Sequence, residues 1–138
     1  MLENTLPPVL LFSFDTVLNK YDWEYGLDLL KKADIPLSKV QPVRGTFKGI
    51  QEKSFMLVDP TDQESFKVIG LAFDHLQESI LHLDNQRLAT FWNIDAVGNV
   101  SERVAGRFIG TSPGVARQRG SYTYNPLTTT YYIIQGEK

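Results

Sequence analysis

The stretch "SYTYNPLTTTYYII", residues 121–134, restricts the possible folds more than any other part of the chain. Tyrosine, threonine and isoleucine alternate on either side of "NPLT", and these residue types suit a pleated, half-buried surface, so the stretch predicts a β-hairpin finishing a sheet. Which tyrosines share a face depends on register. With Asn125 opposite Thr128, Tyr122, Tyr124, Tyr131 and Ile133 lie together; a slip of one position puts Tyr132 and Ile134 there instead. Tyrosines clustered in a sheet pack their rings and keep a polar tip. The competing reading is a stacking surface for a base. Recognition modules of that kind interleave basic residues with aromatics along exposed strands, whereas Arg117 and Arg119 precede this one.

Upstream, "PPVLLFSF", Pro7 to Phe14, reads as a first strand whose prolines make its start an edge. In "NKYDWEYGLDLLKKADIP", Trp23, Leu27 and Leu30 recur at helical spacing between a possible cap at Asn19 and a stop at Pro36. Gly26 inside that helix is unfavourable by about 1 kcal/mol relative to alanine, so packing must compensate. Residues 40–49 and 54–59 predict two strands around a glycine-containing turn, with Pro42 placing the former at an edge or delaying its start. "TDQE", Thr61 to Glu64, has the spacing of a capping box, and Phe66, Ile69, Phe73 and Leu76 form the expected buried stripe of the helix it opens. "SILHLDNQRLATFWNI" predicts a hairpin with a two-residue loop at Asn85 and Gln86, setting Asp84 opposite Arg87. Residues 103–110 predict another strand, and Ser112 then Pro113 a single helical turn. The order predicts one α+β domain over residues 1–138: a mainly antiparallel sheet, two principal helices on one face and a C-terminal β-hairpin.

At 138 residues and 42% hydrophobic content, the chain is long enough for one core. The absence of cysteine excludes a disulfide scaffold, a zinc ribbon and thiol catalysis. The start has no basic region, and its apolar run is broken by Ser13, so no signal peptide, membrane span or membrane partner is expected, and a soluble cytoplasmic protein is. Residues 1–100 carry nine Lys or Arg against fourteen Asp or Glu, and residues 101–138 five against two. That local basic surplus is far weaker than polyanion-binding domains show, so any nucleic-acid binding should be weak.

No stretch carries a motif tied to one reaction, and no catalytic residue, metal ligand or cofactor is assigned. Asp74, His75, Glu78 and His82 lack metal-ligand spacing, and His82 between two leucines reads as a structural histidine. "GRFIGTSPGVARQRG" offers free amides at a helix start with Arg117 and Arg119 behind them, a plain turn or an anion contact. "RGTFKGIQEKSF", Arg44 to Phe55, is the densest mixed-charge stretch, either a solvated turn or a polar contact surface. Candidate ligand or partner contacts are Arg107, Arg117, Arg119, Tyr122, Tyr124, Arg44 and Glu52.

"GTFKGIQEKSFMLVD", with the helix and "FDHLQESILHLD" after it, resembles the bacterial domain of unknown function numbered 3293. That resemblance implies that Gly49, Glu52, Ser54, Phe55 and Gln77 correspond to the family's pattern over residues 9 to 94. His75 and Leu76 depart from it, standing where small residues commonly precede the Gln, and so does the added C-terminal strand region. The overall style is similar to small accessory proteins carried by bacteriophages. Neither likeness supplies an activity. The reading is a small non-enzymatic interaction protein, plausibly phage-encoded, that binds a host protein or sequesters a small anionic ligand. The alternatives are an enzyme acting on a nucleotide-like phosphate-bearing substrate, with Arg107, Arg117 and Arg119 as anion clamps and His75 or His82 as acid-base, and a weak nucleic-acid binder using the C-terminal Tyr/Arg region.

Overall fold

The computed structural model describes residues 6–16, 18–47 and 49–136, the Phe47 side chain excepted. Eight strands, β1 (Val9–Ser13), β2 (Val40–Phe47), β3 (Ile50–Val58), β4 (Ser79–Leu83), β5 (Leu88–Ile94), β6 (Val100–Thr111), β7 (Tyr122–Asn125) and β8 (Thr130–Gln135), close into one barrel in the order β1-β3-β2-β7-β8-β6-β5-β4. Every pairing is antiparallel. The helices are α1 (Trp23–Lys32), α2 (Asp62–Asp74) and α3 (Pro113–Arg119). The expected α+β sheet with helices over one face is therefore corrected to a β-barrel carrying short helices. Closure is what the local patterns do not contain: β1 pairs with β3 on one side and β4 on the other, joining segments distant in sequence and leaving no edge.

That double pairing explains why β1 is a continuous apolar run. Leu10 and Phe12 face outwards into a cluster with Leu30 of α1 and Val68 and Ala72 of α2, while Val9 and Leu11 join a second cluster inside the barrel with Val43, Leu83, Ala89 and Phe108. An eight-stranded barrel is just wide enough for side chains to fill. Each fully buried leucine, such as Leu10, Leu57 or Leu83, contributes about 1.5–3 kcal/mol through burial. Pro7 and Pro8 precede β1 rather than marking it as an edge. Pro42 is tolerated within β2 because β7 pairs only with Arg44–Thr46, beyond it.

Helix α1 starts at Asp22, not Asn19, with the Asp22 carboxylate accepting from the Tyr25 N–H at 2.8 Å. Gly26 lies against the Phe55 ring, which a Cβ would overlap, and this close packing offsets its poor helix propensity. Phe12, Phe14 and Phe55 form the layer beneath, with ring centroids 5.7 to 5.9 Å apart. The capping box opens α2 as expected, with Thr61 and Glu64 satisfying each other's N–H groups. Of its expected buried stripe only Ile69 packs against the core, half-buried: Phe66 is 73% and Leu76 76% exposed, Phe73 is 38% exposed, and the face turned inwards carries Val68 and Ala72.

The β4–β5 loop has three residues, Asn85 to Arg87, rather than two. The Asp84 N–H donates to Leu88 O at 3.1 Å, and Arg87 takes a left-handed φ of 65°. In the C-terminal hairpin, Asn125 stands opposite Thr130. That is a shift of two from the expected Asn125–Thr128 pair, which preserves the faces, so Tyr122, Tyr124 and Tyr131 share one side.

Candidate functional site

Strands β3, β2, β7 and β8 lie side by side, and their registers align one residue from each. Arg44 is opposite Lys53 on one side and Tyr124 on the other, and Tyr124 is opposite Tyr131. Directly paired residues point to the same face of a sheet, so Lys53, Arg44, Tyr124 and Tyr131 form a row across the outside of the barrel. Tyr122 joins it, opposite the buried Thr46. The Tyr131 ring lies 4.6 Å from that of Tyr124 and 5.7 Å from that of Tyr122, and the Arg117 guanidinium sits 5.9 Å over it. Arg44, Thr46, Gln51, Pro126 and the three tyrosines line a shallow cleft of about 240 Å³.

A second cleft, of about 220 Å³, adjoins the first through Arg44 and Gln51 and adds Asp15, Lys20, Trp23, Glu52 and Lys53. Asp15 is buried and accepts backbone N–H bonds from Tyr21 at 2.9 Å and Lys53 at 3.0 Å, which pins the segment before α1 to β3. Lys20 donates from Nζ to Gln51 O at 3.1 Å, tying its ammonium to the same rim. Burial pushes the Glu52 carboxyl above its ordinary pKa, with the Lys20 ammonium opposing the shift and the Asp15 carboxylate adding to it.

Of the residues singled out from sequence, Arg44, Tyr122 and Tyr124 meet in the first cleft, Arg117 flanks it and Glu52 lines the second. Arg119 instead donates to Ile134 O at 3.2 Å. Arg107 donates to Gln86 O at 3.0 Å and lies four residues from Thr111, the β6 residue opposite Tyr131, or about 13 Å along the strand. The three-arginine clamp is thus not assembled. His75 bonds the Tyr25 hydroxyl and Leu71 O, both at 2.8 Å. His82 stacks on Trp92 with centroids 5.0 Å apart, and burial lowers its pKa. Among the described residues, no three His, Asp or Glu side chains gather as a metal site, and no helix is long and apolar enough to cross a membrane.

Lys53, Lys20, Gln51 and Tyr131 also line the two clefts, as do Asp15, Trp23, Thr46 and Pro126, and all were absent from the candidate set. The signal for Lys53 was its place in the mixed-charge stretch, whose ends fold back as a hairpin and set it against Arg44. Comparison with models of known protein families and with curated proteins finds no match.

Proposed function

We propose that the protein is a binding module that sequesters a small anionic ligand in the cleft between Arg44 and the tyrosines. The observation that carries this reading is the cross-strand row Lys53–Arg44–Tyr124–Tyr131, in which Arg44 and the aromatic rings line one cleft and Lys53 the cleft that adjoins it. Cations recognise an anion, and half-buried rings add contact area at low entropic cost. The reading is tested by thermal shift at low salt with inorganic phosphate, pyrophosphate, sugar phosphates and nucleotides. A ligand present at 100 times its Kd should add about 2.7 kcal/mol of stability. At least one compound should raise the Tm of the wild type and not of Arg44→Ala; no shift with any of them overturns the proposal.

A protein partner is the second reading, favoured by the apolar side chains left outward on and beside α2. Phe66 is 73% and Val97 78% exposed, and Phe73 lies against the turn that carries Val97. Under that reading Phe66→Glu abolishes partner capture without altering binding of small anions.

A further inference from the structure

We infer that the two clefts form one bipartite site whose ligand is a nucleotide unit, its base against Tyr122, Tyr124 and Tyr131 and its phosphate among Arg44, Lys53 and Lys20. This rests on the small-anion reading above and names the class of anion. The clefts share Arg44 and Gln51, so they adjoin across β2 and β3. One end of this surface is aromatic: the Tyr122 and Tyr124 rings lie 5.7 and 4.6 Å from that of Tyr131, which carries the Arg117 guanidinium. The other end is cationic, with Lys53 directly opposite Arg44 and Lys20 held at the same rim by its bond to Gln51 O.

With strands about 4.8 Å apart, the row from Tyr131 to Lys53 crosses three gaps and spans about 14 Å, room for a base, a sugar and a terminal phosphate. A simple anion would leave most of the ring surface uncovered, and an uncharged aromatic would leave the cationic end unused. Two carboxyls share the cationic end: Asp15 accepts two backbone N–H groups, and burial disfavours the ionised form of Glu52. Sequence alone put the arginines ahead of the tyrosine strand; the register of β2 between β3 and β7 sets Arg44 beside Tyr124 and so joins a basic pair to an aromatic pair.

The test is calorimetric titration with adenosine monophosphate, adenosine, ribose 5-phosphate and a short single-stranded oligoadenylate. Adenosine monophosphate should bind about tenfold or more tightly than ribose 5-phosphate, because base stacking on aromatic side chains is sequence-tolerant and substantial. Tyr124→Leu keeps apolar bulk if Tyr124→Ala fails to fold, and should erase that difference. Lys53→Ala should weaken the monophosphate about tenfold, as loss of a charge-assisted contact does, while leaving adenosine unchanged. Equal binding of adenosine monophosphate and ribose 5-phosphate overturns this inference and leaves the small-anion reading standing. Failure of every phosphate-bearing probe overturns both. Tighter binding of the oligoadenylate than of the monophosphate supports the same base-plus-phosphate chemistry with a strand, rather than a free nucleotide, as its source.

Discussion

Arg44 of β2 stands directly opposite Tyr124 of β7, the contact at which a basic hairpin and an aromatic hairpin from distant parts of the chain meet. Arg44 is exposed and Tyr124 half-buried, so the two should separate binding from stability. Arg44→Ala is expected to change stability by no more than about 0.5 kcal/mol, as surface substitutions do, while weakening anionic ligands. Tyr124→Ala should lower stability by about 1–2 kcal/mol, between a surface and a core truncation, and also remove affinity. Urea midpoints and calorimetry on both variants check this. An Arg44→Ala protein as destabilised as Tyr124→Ala would mean that the arginine serves the fold.

The exposure of α2's aromatic side chains leads to a contrast. Phe66→Ala should leave stability within about 0.5 kcal/mol of wild type, because the ring is already in water. Phe55→Ala, by contrast, should be destabilising by about 3–5 kcal/mol, since Phe55 is buried beneath Gly26 and Trp23. Guanidinium denaturation midpoints distinguish the two, and a large loss for Phe66→Ala would place that ring in the core.

The capping box carries a pH signature. Lys39 Nζ donates to Glu64 at 2.7 Å and the Thr61 N–H does so at 3.0 Å, which together hold the Glu64 carboxyl below its ordinary pKa. A carboxyl lowered in the folded state adds stability that is full above the ordinary carboxylate range and is lost as pH falls through the lowered value. Glu64→Gln should therefore be less stable than wild type at pH 7, with the gap closing in acid. Thr61→Ala should lower stability by about 0.5–2 kcal/mol at neutral pH. Unfolding curves at neutral and acidic pH check both.

Glu52 has the opposite sign. Its folded pKa is raised by burial, so the native state holds the proton more tightly than the unfolded chain, and stability falls as pH rises from the ordinary carboxyl value through the raised one. Glu52→Gln should be at least as stable as wild type at pH 7, with the advantage vanishing below the ordinary carboxylate range. A Glu52→Gln protein that melts earlier than wild type at neutral pH would show that the ionised carboxylate holds the fold together.

The features legible in the sequence depend on neighbours in the chain. Thr61 and Glu64 define the start of α2, Ser112 before Pro113 caps α3, and the two-residue period of a strand puts Tyr122, Tyr124 and Tyr131 on one face in the Asn125–Thr128 register or any shifted from it by an even number. Gly26 announced a close contact without saying with what. Tertiary structure alone decided the rest. The phase of the α2 stripe depended on the surface beneath it, because the aromatic layer accepts Val68 and Ala72 and leaves Phe66 in water. Closure depended on β1 finding both β3 and β4, and the site on β2 finding β7; short-range spacing encodes neither pairing. Such pairs form because the backbone N–H and C=O groups of an open edge need partners, and whichever distant strand brings both its backbone and its apolar face to that edge supplies them. The cleft between Arg44 and the tyrosines therefore exists only once β2 has paired with β7.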